Sequence, residues 1–266
     1  MTRISKLRLL VGLFPDHRVE LYDRLCAIVD VQRERIWAKP FPHETLFFHD
    51  ALQVLEKHWE VDAGAILADR RLQECEQRVR ECAAGLKGGS PFSPRHNADL
   101  LLARMVYFVC NALCPSVVVE TGVAYGVTSA FALAALAPRN VATLWSIDLP
   151  PLAEKADLAV GRLIPEDLRG RWNLRRGPSR RLLPGLLSSL NTVDVFIHDS
   201  LHTYRNMRWE CETVWPFLRP GGVLIADDIE GNPAFYEFAR KVRPALSFAV
   251  KEERKESVFG VLVKTK

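Results

Sequence analysis

The stretch Val118-Val119-Glu120-Thr121-Gly122-Val123-Ala124-Tyr125-Gly126-Val127-Thr128-Ser129 passes from β-branched apolar residues through two glycines into a helix-compatible segment. Such a strand–turn–helix unit opens a doubly wound sheet. Its turn is where a nucleotide-like ligand sits, because glycine lets the backbone approach closely. The spacing is G-x-x-x-G, without the G-x-G-x-x-G that cradles a dinucleotide pyrophosphate. Glu120, two positions before the first glycine, would repel a diphosphate and recruit an ammonium group. Outward from this unit, residues 116–121, 143–148, 172–176, 193–198 and 222–226 are apolar along their length, as parallel strands buried on both faces should be. Helical spacing fills the intervals, and 99–114 reads as a helix ahead of the first strand. Residues 245–250 and 257–263 are separated only by the charged 251–256 and read as an antiparallel pair. The expectation is an α/β protein with a doubly wound, mostly parallel seven-stranded sheet.

Before this sheet, residues 17–86 carry helical apolar spacing, as in Ala51-Leu52-Val54-Leu55-Trp59 and Leu72-Cys75-Val79-Cys82-Leu86, with few strand signals. Gly85, Gly88, Gly89, Ser90, Pro91, Ser93 and Pro94 form a turn-rich cluster that places a boundary. Residues 1–95 are read as a helical N-terminal extension (lid, substrate or dimerisation region) and 96–266 as the catalytic domain. The 266 residues are 48% hydrophobic and 26% charged with a net charge of +4. This is the composition of a globular chain, without the concentrated basic face that nucleic acid requires. The longest apolar runs fall far short of the ~20 residues of a membrane span. The N-terminus has a brief apolar run, but Pro15-Asp16-His17-Arg18 interrupts it and no small-residue cleavage site follows, which reads against secretion. Cysteines 26, 75, 82, 110, 114 and 211 form no CxxC pair, so neither a zinc knuckle nor a disulfide framework is indicated, and reduced thiols in a cytoplasm fit.

Asp148 ends the strand 143–148. A carboxylate roughly 20 residues beyond the glycine loop accepts hydrogen bonds from ribose hydroxyls. Together Glu120, Gly122, Gly126 and Asp148 resemble the class I S-adenosylmethionine-dependent methyltransferases, over about residues 97–266. The resemblance implies S-adenosylmethionine as methyl donor, with Tyr125 and Thr128 among its contacts and Gly177 and Ser179 near the adenine. Two further motifs are Asp199-x-x-His202 at a strand end and Leu218-x-Pro220-Gly221-Gly222-x-x-x-x-Asp227-Asp228 at the next. They look like the small-molecule O-methyltransferases that modify macrolide sugars, with relatives among the catechol-type enzymes. That likeness implies a magnesium ion on Asp199, Asp227 and Asp228. The catechol-type relatives carry lysine where this chain has His202, which brings it nearer the sugar-modifying group and its natural-product acceptors.

The residues support the same chemistry independently. Carboxyl ends of adjacent parallel strands face one crevice, so three carboxylates converge there and repel unless a hard cation, Mg²⁺ or Mn²⁺, takes their oxygens. Asp199, placed with the catalytic and the cofactor-binding residues, lies three positions before His202, which is set to take a hydroxyl proton. A cation and a carboxylate beside His202 should leave it titrating near neutrality. Other readings stand beside these. The aspartates also suit helix caps, His202 suits a packed ring, His198 has no partner suggested by sequence and reads as structural, and Arg175 to Arg181 reads as a solvated loop. His17, His43, His49 and His58 read as surface or packing residues, and Trp145, Trp172, Trp209 and Trp215 as core. The expected function is methyl transfer to a hydroxyl of a small molecule, with aromatic hydroxyl and amino acceptors open. Neither nucleic acid nor membrane is expected as a partner, and self-association is expected through the N-terminal helices. The alternatives are an NAD(P)-dependent oxidoreductase, which lacks its third glycine and a Tyr-x-x-x-Lys pair here, and a non-catalytic cofactor-binding protein on a degenerate fold.

Overall fold

The computed structural model describes residues 17–37, 39–85, 92, 100–139, 141–153, 155–252 and 257–266. The N-terminal residues 1–16, most of the 85–94 turn cluster and residues 253–256 of the last connection lie outside the described residues. Five strands, β2 (Val117–Thr121), β3 (Thr143–Asp148), β4 (Trp172–Arg176), β5 (Val193–His198) and β6 (Leu218–Ala226), run parallel. β7 (Leu246–Lys251) and β8 (Val258–Val263) form the antiparallel pair. The sheet has one strand more than expected: Thr45–Leu46, β1, pairs parallel with β7 and completes the order β1-β7-β8-β6-β5-β2-β3-β4. Two residues carry no periodicity, so only the neighbouring strand makes them one. The chain winds outward from β2 through β3 to β4, then returns to the other side of β2 with β5. That reversal opens a crevice at the carboxyl ends of β2 and β5, where ligands of such sheets bind.

α6 (Val127–Leu136) is buried at every position, which explains a sequence apolar all round. It packs between the sheet and α5 (Leu100–Leu113). The N-terminal helices α2 (Phe48–Trp59), α3 (Ala63–Leu67) and α4 (Arg70–Ala84) add their own apolar stripes to the same core, where Leu52, Leu55, Leu72 and Val79 join Val118, Phe131 and Val195. None of the described helices is long and apolar enough to cross a membrane.

α1 (Arg18–Trp37) behaves differently, because it docks by its polar face. Glu20 pairs with Arg176 at 2.7 Å, Asp23 with Arg181 at 2.6 Å and Asp30 with Arg205 at 2.7 Å. Glu34 accepts from the Tyr204 backbone N–H and from Asn232 Nδ2, and Arg24 donates to the Pro150 carbonyl. Tyr22, Leu25, Val29, Ile36 and Trp37 face outward, with Ile36 73% exposed. The helix therefore spans the rim above β3, β4, β5 and β6, and the arginines of the 175–181 segment, expected to be solvated, hold it there.

The first βα turn is pinned by contact. Gly122 has φ +83°, and a Cβ there would stand 1.8 Å from the Asp199 carbonyl oxygen. Left-handed backbone costs a non-glycine residue about 1–2 kcal/mol and overpacking about 1–3 kcal/mol more, so Gly122→Ala should lower stability by about 2–5 kcal/mol in urea denaturation.

The α1 latch should respond to acid. Arg176 holds the Glu20 carboxyl down to about 2, against the opposing effect of burial, with Arg24 assisting. A carboxylate depressed in the folded state contributes stability above its ordinary value of 4.5 that is lost as pH falls through about 2. Hydrogen exchange should therefore show α1 protected at pH 5 and released toward pH 2. Arg176→Gln should move that release up toward pH 4.5.

Candidate active site

Two clusters meet across the β2–β5 crevice. At the first, Asp148 ends β3 beside the glycine loop, where the backbone N–H groups of Val123, Leu149 and Ala124 favour its charged form. Burial nonetheless pushes its pKa up to about 6, and its Oδ2 is buried with no hydrogen-bond partner. Thr128, on the first turn of α6, also has a buried Oγ1 with no partner. Glu120 is sealed from water: Oε2 accepts from Ser129 Oγ at 2.6 Å and Ser146 Oγ at 2.7 Å, and Oε1 has no partner. Burial raises its pKa to about 7, against those two hydroxyls. Only Oε1 is left to meet an ammonium group.

The other loop residues have different surroundings. Tyr125 is turned into the core against Phe92, its ring edge-to-face at 5.0 Å. Gly126, at φ +85°, is packed against Gly161 and Ile164. Gly177 follows β4, donates its N–H to the Asp148 carbonyl at 2.8 Å and lines a cavity of about 390 Å³ with Leu149 and Arg176. Val19, Glu20 and Asp23 of α1 also line that open cavity. The short α7 (Ala156–Ala159) precedes β4, and Ser179 starts α8 (Ser179–Leu190), where its hydroxyl helps hold the Glu210 carboxyl down.

The second cluster stands at the ends of β5 and β6. The Asp199 N–H bonds the Thr121 carbonyl at 2.8 Å and the Asp227 N–H bonds the His198 carbonyl at 2.9 Å, so each aspartate continues the pairing of its strand and arrives at the crevice in register. Ligand atoms of Asp199, His202 and Asp227 lie within 4.8 Å of one another. Asp228 stands apart from that group, on left-handed backbone at φ 49°, with its carboxylate 3.6 Å from His202 Nε2. The grouping thus differs from the three-aspartate set of the sequence reading, with the imidazole in the place of Asp228. Helix capping does not account for these carboxylates: Thr203 caps α9 (Tyr204–Val214) through its hydroxyl, and no side-chain cap bond is made at Asp228.

His202 Nε2 lies 3.8 Å from Asp199 Oδ1. Its pKa does not stay near neutrality. Burial pushes it down to about 4, and Asp228 opposes this only in part. The imidazole is therefore neutral at pH 7, with its Nε2 on the partly exposed side toward the aspartates.

Sequence reasoning missed two groups. Glu210 is fully buried and lies 2.6 Å from His198 Nδ1, giving His198 the partner it lacked on paper. Glu210 also accepts from Thr121 Oγ1 at 2.5 Å and Ser200 Oγ at 2.8 Å. It sits two helical turns inside α9, with no local pattern to mark it. The acidic face of α1 was the other, legible only as helical spacing at 20, 23, 30 and 34. Beyond α1, the 39–47 segment flanks the acidic cluster, with His43 Nε2 3.1 Å from the Ile229 carbonyl and Phe41 against Tyr236.

Residues 119–229 match the methyltransferase domain family. Solved structures of similar fold include an O-methyltransferase from Bacillus cereus in complex with S-adenosylhomocysteine, at 17% identity over 74% of this chain and 91% of that one, with a TM-score of 0.54. Another is the O-methyltransferase TomG from Streptomyces achromogenes, involved in tomaymycin synthesis and solved with S-adenosylmethionine, at 15% identity over 74% and 90%, with a TM-score of 0.53. No curated protein matches the chain. Residues 119–229 are thus similar to a methyltransferase domain, and the sheet that extends on both sides of them has the fold of these class I O-methyltransferases.

Proposed function

We propose that the chain is an S-adenosylmethionine-dependent O-methyltransferase acting on a hydroxyl of a small molecule. The observation that carries this reading is a set of three buried oxygens without partners, Glu120 Oε1, Thr128 Oγ1 and Asp148 Oδ2, on one glycine loop and the strand ends beside it. Buried polar atoms are paired in native proteins, and these suit the ammonium, carboxylate and ribose groups of such a donor. Asp148 would take the ribose hydroxyls and Thr128 the carboxylate, while Glu120, sealed behind the loop, would add negative potential on the ammonium side. Gly177 and Leu149 would flank the adenine under α1, and Gly122 and Gly126 shape the loop around the donor. Tyr125 and Ser179 support that loop and the crevice floor from behind.

Asp199 and Asp227, with Asp228, are the residues that would hold a divalent cation such as Mg²⁺ or Mn²⁺, which leaves His202 off the cation as the base. When bound, the donor supplies an electrophilic methyl and the cation a Lewis-acidic contact that acidifies an acceptor hydroxyl. The neutral His202 takes the hydroxyl proton on Nε2, the nitrogen nearest Asp199 and Asp228. Asp228 then stabilises the resulting imidazolium. The 39–47 segment and α1 wall the acceptor side and exclude water. TomG's involvement in tomaymycin synthesis suggests a natural-product acceptor here too.

Calorimetry checks the donor. S-adenosylhomocysteine should bind and NAD(H) should not, and Asp148→Ala, with two hydrogen bonds lost at about 1 kcal/mol or more each, should weaken binding at least about tenfold. Binding of NAD(H) without S-adenosylhomocysteine would return the oxidoreductase reading.

With an acceptor identified from products heavier by one methyl, EDTA should abolish turnover and Mg²⁺ or Mn²⁺ restore it. His202→Ala should lower kcat by about 10²–10⁴-fold at unchanged donor affinity. Full turnover in chelator would remove the cation from the mechanism and leave His202 as base.

A further inference from the structure

Asp199 is flanked on both sides by residues bound to one buried carboxylate. His198 Nδ1 and Ser200 Oγ both contact Glu210, at 2.6 Å and 2.8 Å. Asn206 Nδ2 ties the same carboxylate, at 3.1 Å, to Ser200 Oγ and to the Leu201 carbonyl, each also at 3.1 Å. Thr121 Oγ1 fixes the carboxylate to the end of β2, whose carbonyl receives the Asp199 N–H. The turn from 198 to 203 is therefore suspended from Glu210.

The same pair reaches His202. The rings of His198 and His202 meet edge-to-face, with centroids 5.6 Å apart and planes at 84°. With the Glu210 carboxylate at Nδ1, the other ring nitrogen of His198 is Nε2. That nitrogen and His202 Nδ1 are both buried without a hydrogen-bond partner. His202 keeps Nε2 toward Asp199 and Asp228. A proton on His202 Nδ1 would sit on the buried side of the ring, beside His198, and leave Nε2 toward the crevice. We propose that the buried Glu210–His198 pair is a positioning device: Glu210 fixes both neighbours of Asp199, and His198 selects the orientation and tautomer of His202. This rests on the O-methyltransferase reading only for its use. The arrangement itself involves residues of this chain alone.

The test needs no acceptor. Wild type, Glu210→Gln, His198→Asn and Ser200→Ala are compared by three measurements: calorimetric affinity for S-adenosylhomocysteine, Mn²⁺ alone followed by electron paramagnetic resonance, and ¹⁵N-histidine spectra that report which ring nitrogen of His202 is protonated. In the wild type His202 should be protonated on Nδ1 alone. In Glu210→Gln and His198→Asn it should become a mixture of tautomers. Mn²⁺ affinity should fall about 10–100-fold, as for other groups that orient ligands from behind, while S-adenosylhomocysteine affinity stays within about threefold. Ser200→Ala should weaken Mn²⁺ binding less and leave the tautomer intact.

A merely structural pair would lower thermal stability without moving the tautomer or Mn²⁺ affinity of the folded protein, and that result overturns the proposal. Should Glu210→Gln fail to fold, His198→Asn and Ser200→Ala decide. A wild type that takes up no Mn²⁺ overturns the cation reading, and one that binds no S-adenosylhomocysteine overturns the donor reading. In both cases the ring-nitrogen result still decides for or against the positioning role.

Discussion

A carboxylate withdrawn from water costs several kcal/mol unless donors replace its hydration. Glu210 has no exposure, and its donors come from four places in the chain: Thr121 at the end of β2, His198 at the end of β5, Ser200 in the turn beyond it and Asn206 on its own helix. The requirement is mutual. The carboxylate can be buried only if these ends converge, and they converge without stranded hydroxyls only because it is there. The imidazole of His198 and the other donors hold its pKa down to about 2 although burial by itself would raise it. The floor of the crevice is thus built of charge-assisted hydrogen bonds, which impose tighter geometry than apolar packing.

The two ends of the crevice are coupled through backbone as well. Gly122 lies against the carbonyl of Asp199, so the loop that surrounds the donor side and the turn that carries the acidic cluster are in van der Waals contact. The glycine allows the approach of another backbone, as its usual meaning suggests, but the backbone is the protein's own. Glu120 shows a parallel economy. Its Oε2 gathers Ser129 and Ser146, and Ser146 accepts from the Trp172 indole, so four elements are joined behind the loop.

α1 inverts the ordinary amphipathic arrangement. Its charged stripe faces inward onto arginines of the crevice rim, and its apolar residues face out. Ion pairs at a rim are individually weak and screened by salt. The attachment of α1 therefore depends on charge and on salt, where apolar packing of the same area would not.

The parallel core of the fold was legible because strands buried on both faces must be apolar along their length and helices must supply the crossovers. Residues 117–121, 143–148, 172–176 and 193–198 say this on their own. Asp148, Asp199, Asp227 and Asp228 were legible for a related reason: a charge that ends an apolar strand marks the mouth of a crevice. Local pattern could not reach β1, whose two residues become a strand only against β7, nor the inward orientation of Tyr125. It could not show that Arg176 and Arg181 grip α1, because a charge run looks the same solvated or paired. Above all it could not show Glu210 or the depressed pKa of His202. Desolvation and convergent hydrogen bonds depend on which distant segments surround a side chain, and that is decided only when the sheet has closed.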